Sequence, residues 1–275
     1  MLAPFLGFIS AATMASHAPP PAIAYLAALS AMLLNAGSNG LNQIFDIEID
    51  RINKPTRPLP AGTLTKGQAA ATVIALYGVS IAIAALVNVT FLVIVIITAL
   101  LTYTYSAPPL RTKRHVCLAN VTIAIPRGML LIVAGWASVS PVTTLEPWFI
   151  GLVFGLFVLG AASTKDFADI EGDAAHGCTT LPIKLGVERA AKLVMPFLSL
   201  PFLLLPVGSA AGILSANAWA LLILTAILFG WGSYAGYLLI KDPESLATEK
   251  NHPSWRHMYL ILIFSQLGLA VSYVV

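Results

Sequence analysis

Apolar residues run along this chain in long unbroken blocks rather than in the mixed pattern of a soluble core. Stretches such as 69–87 and 90–101 contain no charged residue. Blocks of ~20 apolar residues are what a helix needs to cross the hydrocarbon of a bilayer. Breaking the pattern at prolines, glycines and charge clusters predicts about nine spans, at 1–16, 22–46, 68–87, 89–106, 117–138, 146–165, 188–207, 211–240 and 255–275. The longest polar stretches, 51–67, 165–187 and 241–254, are too short to bury a core of their own. The expected fold is therefore all-α, a polytopic membrane bundle of about nine transmembrane helices in one domain over 1–275.

Composition agrees. Of the 275 residues, 58% are hydrophobic and 10% charged, and mean hydropathy is +0.85. A soluble domain carries about 25% charged residues, so this chain has too little polar surface for water. The first segment (Leu2, Phe5, Leu6, Phe8, Ile9) has no Lys or Arg before it and does not read as a secretory leader. It ends at His17 and the prolines 19 to 21. Cys117 and Cys178 lack the paired spacing of zinc sites and read as reduced thiols. A net charge of +3 makes no case for nucleic acid.

The placement of the charges says more than their sum. Nearly all of them fall in the connections after the second, fourth, sixth and eighth spans, including Arg51, Lys54, Arg57 and Lys66; Arg111, Lys113 and Arg114; Lys165, Asp166, Asp169 and Asp173; and Lys241, Asp242, Glu249 and Lys250. The alternate connections carry only Glu146. Successive connections lie on opposite faces of a bilayer, so one face is charged and the other nearly bare. An excess of Lys and Arg marks the cytoplasmic side. This predicts a multi-pass protein of the cell membrane with a cytoplasmic N-terminus, an outward C-terminus and chemistry on the cytoplasmic face.

Two acidic segments stand on that face. Asn42, Asp46 and Asp50 recur at i, i+4 and i+8, on one side of a helix at steps of about 6 Å. Asp166, Asp169 and Asp173 recur at i, i+3 and i+7 at the end of the sixth span. The two segments are near-copies, Asp46-Ile47-Glu48-Ile49-Asp50 and Asp169-Ile170-Glu171-Gly172-Asp173, each followed by a proline-containing connection. This suggests an internal repeat of spans 2–3 and 6–7. Five gathered carboxylates repel one another unless cations lie between them. Oxygen ligands with room for water and phosphate suit Mg²⁺, and two such groups can grip a diphosphate through bridging metal ions. The alternative is a solvated acidic helix end. Nearby cations (Arg51, Lys54, Arg57, Arg111, Lys113, Lys165) serve either as topology signals or as neutralisers of a departing diphosphate. Arg127 follows Pro126 inside the fifth span, where an arginine is expensive. It reads as a contact to a substrate headgroup or as one half of a buried pair with an aspartate.

The motifs Asn42-x-x-x-Asp46-x-x-x-Asp50, Tyr105-Ser106-Ala107-Pro108-Pro109-Leu110-Arg111 and Lys165-Asp166-Phe167-Ala168-Asp169-Ile170-Glu171-Gly172-Asp173, followed by Thr180-Leu181-Pro182, resemble the UbiA superfamily of intramembrane prenyltransferases. The resemblance covers almost the whole chain. It implies a nine-helix bundle around a central cavity and Mg²⁺-dependent transfer of a prenyl group from an isoprenyl diphosphate to a lipophilic acceptor. It also implies that Asn42, Asp46, Asp50, Asp169 and Asp173 serve as metal ligands, with Asp166, Tyr105, Arg111 and the basic connection Arg51, Lys54 and Arg57 beside them. The chain departs from the family in lacking a polar segment before the first helix and in having Gln43 where many members have Asp. The run from Phe45 to Pro55 and the ending at Asp173 are similar to the archaeal lipid branch, whose acceptor is geranylgeranylglyceryl phosphate. An aromatic acceptor (4-hydroxybenzoate, a naphthoate or another quinone or chlorophyll precursor) is the alternative. An ion or phosphate transporter is the alternative of another class, and would hold its acids near the bilayer midplane.

Overall fold

Within hydrocarbon a backbone has no water to bond, so it must close its own hydrogen bonds, and helices do this within one segment. The computed structural model describes residues 2–248 and 252–275, and among them there is no strand, only an isolated bridge between His115 and Thr179. Nine long helical segments follow in order: α1 (Leu2–Ser16), α2 (Ala22–Phe45), α3 (Lys66–Val87), α4 (Val89–Ser106), α5 (Leu118–Ala137), α6 (Glu146–Ala168), α7 (Val187–Ala210), α8 (Ala218–Lys241) and α9 (Pro253–Ser272). The seven from α2 to α8 are long and apolar enough to cross a membrane. The protein is an integral membrane protein. Helix α1 is shorter and packs against α2, α5 and α9, while α9 packs against α1 and α8, so both complete the same bundle. Glu249 and Lys250, assigned above to the charged face, lie outside the described residues, as does the side chain of Cys117.

The boundaries follow from local chemistry. Thr65 and Gln68 form a reciprocal capping box at the start of α3. Asn88 alone separates α3 from α4 and caps the second by accepting from the Phe91 N–H. One expected span needs correction. The hydropathy pattern starts the eighth at 211, but α8 begins at Ala218. Gly212, at φ +68°, turns the chain into the left-handed region, and Asn217 then caps α8 through Trp219 and Ala220. Two segments are locally irregular. Pro196 and Pro201 force 3₁₀ turns at Met195–Leu198 and Leu200–Leu203 in α7, and a π-turn at Ile125–Met129 surrounds Pro126 in α5.

The connections separate by end. At one end, Lys54 meets Asp169, Lys113 meets Asp46, and the short helix Ser245–Thr248 packs on the end of α6. At the other, the Glu146 carboxylate accepts from the Tyr273 hydroxyl at 2.5 Å and from the Ser215 hydroxyl and amide at 2.8 and 2.7 Å. Asn217 N–H donates to the Ser272 carbonyl, Asn88 Nδ2 donates to the Ala137 carbonyl, and the His17 ring lies on Tyr273. The even-numbered connections thus share one end of the bundle, and the odd-numbered connections share the other with the C-terminal residues.

Candidate active site at the charged end

Helix α2 does not run through its acidic stripe. It stops at Phe45, Asp46 takes φ −108° and ψ 11°, and a new helix, Ile47–Asn53, starts immediately. Helix α6 repeats the manoeuvre at Asp169, at φ −106° and ψ 7°, followed by the helix Ile170–Ala175. The expected single helical face is therefore a kinked one, broken at the same motif position twice. The kink exposes the Phe45 carbonyl, which accepts from Arg111 Nη2 at 2.8 Å. Arg111 itself sits at φ +38°, a conformation unusual for a residue with a side chain.

The two short helices pack together. Asn53 joins them, donating to the Asp169 carbonyl at 3.2 Å and accepting from the Gly172 N–H at 3.0 Å. A Cβ on Gly172 would lie 2.5 Å from the Asn53 amide, so this close approach requires glycine. Lys54, where the backbone leaves the helix, reaches across to both oxygens of Asp169 at 2.5 and 2.6 Å. Arg57 returns to Asp50 at 2.7 Å. Asp46 accepts from Asn42 at 2.8 Å, approaches Arg111 at 3.4 Å and is ion-paired with the buried Lys113.

These side chains enclose a polar cavity of about 100 Å³. Of the residues singled out in the sequence, Asn42, Asp46, Asp50, Lys54, Arg57, Tyr105, Lys113, Lys165, Asp166, Asp169 and Asp173 line it. Three do not. Arg111 supports the Asp46 kink from behind, Arg51 is paired with Glu48 on the open surface, and Arg127 lies elsewhere. Among the described residues Arg127 has no aspartate partner and donates to Asn39 Oδ1 at 2.6 Å. Asn39, Asn53, Ser106, Cys178 and Thr180 were not singled out as site residues. Thr180 had a signal, its place in the Thr-Leu-Pro motif, whereas Asn53 is visible only through its contact across 116 residues.

The charge balance is uneven. Asp46, Asp50 and Asp169 have basic partners, while Asp166 and Asp173 are in no ion pair among the described residues. One Asp166 oxygen is buried without a hydrogen-bond donor. Burial, and then the charge of Asp169, push the Asp173 carboxyl above its usual range. Lysine and arginine stand between the acids, so no three acidic, histidine or cysteine groups among the described residues converge on one point as they are. The donor set is nevertheless all oxygen, and two of its five carboxylates lack a cation. That fits a hard divalent ion such as Mg²⁺.

A second, larger chamber of about 460 Å³ lies beside the first, walled by α1, α2, α4, α5, α6 and α9. Its lining is mostly aliphatic and aromatic, including Phe91, Ile94, Leu130 and Phe157. Lys165 belongs to both cavities, and its ammonium lies 3.4 Å from the Tyr105 hydroxyl. A polar clamp and an apolar chamber thus meet at one lysine.

Comparison with known proteins gives a consistent picture. The family described as UbiA prenyltransferase matches residues 1–264. A digeranylgeranylglyceryl phosphate synthase of Thermococcus sibiricus is 29% identical over 97% of this chain and 92% of its own. The same-named protein of Methanopyrus kandleri is 31% identical over 77% of this chain and 78% of its own. A solved structure concerned with digeranylgeranylglyceryl phosphate synthase in membranes superposes with a TM-score of 0.74 at 28% identity, covering 98% of this chain and 93% of that one. A UbiA homolog from Archaeoglobus fulgidus, solved with GPP and Mg²⁺, shares the fold, with a TM-score of 0.74 at 21% identity over 99% of this chain and 94% of that one.

Proposed function

Because this chain belongs to the UbiA prenyltransferase family, we propose that its charged end binds an isoprenyl diphosphate and transfers the prenyl group to geranylgeranylglyceryl phosphate. The observation that carries the reading is the junction at Lys165, where a polar cavity lined by acids and cations shares a wall with a larger apolar one. The named relatives support the acceptor, and the homolog holding GPP and Mg²⁺ supports the donor. The near-identical kinks at Asp46 and Asp169 support an origin by internal duplication.

In this reading Asn42, Asp46, Asp50, Asp169 and Asp173 hold Mg²⁺, which when bound neutralises the diphosphate oxygens as a Lewis acid. Lys54, Arg57, Lys113 and Lys165 line the same cavity and draw charge from the diphosphate as the bond from its oxygen to C1 of the prenyl group breaks. The electron pair leaves with the diphosphate. The acceptor hydroxyl oxygen bonds C1 and its proton departs with the released anion. The chamber excludes water from the cation-like prenyl group by its apolar walls. Arg111 acts indirectly, holding the Phe45 carbonyl and so the kink that aims Asp46. The charged end faces the cytoplasm of the cell, by its excess of Lys and Arg.

The test is transfer of label from geranylgeranyl diphosphate by purified protein, offered geranylgeranylglyceryl phosphate or 4-hydroxybenzoate in turn. Magnesium-dependent labelling of the glyceryl phosphate is the expected result. Labelling of the aromatic acid alone would overturn the acceptor, and labelling that persists without divalent metal would overturn the scheme.

A further inference from the structure

The apolar chamber contains a charge that the diphosphate clamp does not use. Its lining holds no Asp or Glu and two cations, Lys165 and Arg127. Lys165 also lines the clamp, beside Asp166 and Asp169. Arg127 lines only the chamber, midway along α5, and is in no ion pair among the described residues. Its polar neighbours carry no negative charge: the Asn39 amide oxygen at 2.6 Å, the hydroxyls of Tyr105 and Tyr77 near by, and a second cation, Lys165, within electrostatic range. A guanidinium carries five N–H donors, and Asn39 takes one. More than a third of the residue is open, and it opens on the chamber.

Nor can this arginine withdraw. It sits on the π-turn at Ile125–Met129, and Gly128 packs so tightly on α6 that a Cβ there would lie 2.7 Å from the Gly155 Cα. The backbone is thus held at one position. Trp255 adds a second donor, its indole N–H buried without an acceptor in the same lining. An intramembrane cation facing a cavity calls for an anion, and the donor supplies none at this place. In the reading above its diphosphate occupies the clamp, which Arg127 does not line, and its tail is hydrocarbon.

We propose that Arg127 anchors the anionic headgroup of the acceptor, a phosphate monoester or a carboxylate, and that the chamber thereby rejects uncharged acceptors. The inference rests on the prenyl-transfer reading above. It adds that Asn39 orients the guanidinium and that the acceptor hydroxyl lies between Arg127 and Lys165, where C1 of the donor becomes free. Glyceryl phosphates and hydroxylated aromatic acids share this chemistry, an anion and a nucleophile on one small frame.

The experiment uses purified enzyme in nanodiscs with Mg²⁺. The probes are an alkylglyceryl phosphate and 4-hydroxybenzoate, each against its uncharged counterpart, the alkylglycerol and methyl 4-hydroxybenzoate. Wild type is expected to bind at least one anion about tenfold or more tightly than its counterpart, the scale of a charge-assisted hydrogen bond. Arg127→Gln should erase that preference and Arg127→Lys should retain most of it. Thermal stabilisation by Mg²⁺ with inorganic diphosphate should be the same in all three. Equal binding of charged and uncharged probes by wild type overturns the proposal without need of any variant. So does an anion preference that survives Arg127→Gln, or a parallel loss of diphosphate binding. Failure of the transfer reading would appear separately, as wild type that moves no label from prenyl diphosphate to either acceptor class.

Discussion

The two acidic helix ends have the same backbone and different company. Asp46 and Asp169 share the kink geometry and the same degree of burial, yet Asp46 is held by Asn42, Arg111 and Lys113, and Asp169, among the described residues, is ion-paired with Lys54 alone. Asp50 is buried and paired with Arg57, whereas Asp173 is half-buried and in no ion pair among the described residues. Ile49 fills a core position where the second copy has Gly172, because Asn53 of the first copy packs onto that glycine. Local sequence thus sets the shape of each half, and the connections from elsewhere set its charge. The clamp is asymmetric, neutralised in advance on one side and short of cations on the other.

The largest effect should come from the first aspartate of each copy. Asp46→Asn and Asp169→Asn are each expected to lower labelled-prenyl transfer by at least ~100-fold. Their effects on stability should differ. Asp46→Asn strands the buried Lys113 and should lower unfolding stability by about 3 kcal/mol. Asp169→Asn strands Lys54, which is 35% exposed, and should lower it by much less. Equal shifts in detergent unfolding would abolish the asymmetry.

Next is pH. Burial disfavours the Lys113 ammonium and brings its pKa down from 10.5 to about 8. Lys113 is therefore charged below pH 8 and neutral above it. On this basis kcat/KM for the donor should hold up to about pH 8 and fall by about tenfold per unit beyond. Lys113→Arg, permanently charged, should lose that alkaline limb, and a limb that persists would exclude Lys113 as its source. Gly172→Ala should expel Asn53 from the joint and lower transfer by roughly tenfold, on the scale of a 1–3 kcal/mol overpacking change. Added to Asn53→Ala, it should have little further effect, because both remove one contact. The smallest effect belongs to Arg51→Ala, which breaks an exposed pair with Glu48 worth less than ~0.5 kcal/mol and should leave transfer within about twofold. A large loss there would bring Arg51 back into the site.

The spans were legible because hydropathy and helix length are local properties. The start of α8 was misplaced because Gly212 and Asn217 act through backbone conformation and capping, which average hydropathy does not register. The carboxylate stripes were legible by spacing, but the kinks were not, since the broken hydrogen bonding at Phe45 is answered by Arg111 from another connection. Lys54 and Arg51 read alike as cations after an acid. The end of the helix at Asn53 sends Lys54 across the cavity, while Arg51 stays on the surface with Glu48. Such pairings depend on which connections share an end of the bundle, and that is a property of the assembled fold.

The hydrogen-bonded knot around Glu146 matters to the membrane as well as to the enzyme. The chamber's lining follows α4 from Phe91 to Thr102, about 17 Å, more than half the thickness of the hydrocarbon. Glu146, Tyr273 and Ser215 tie α6, the C-terminal residues and the turn before α8 together across the remaining distance, and no residue of the knot lines the chamber. One end of the bundle is thus hollow and the other tied shut by side-chain hydrogen bonds, so the chamber is a blind recess in its described lining rather than a passage through the knot.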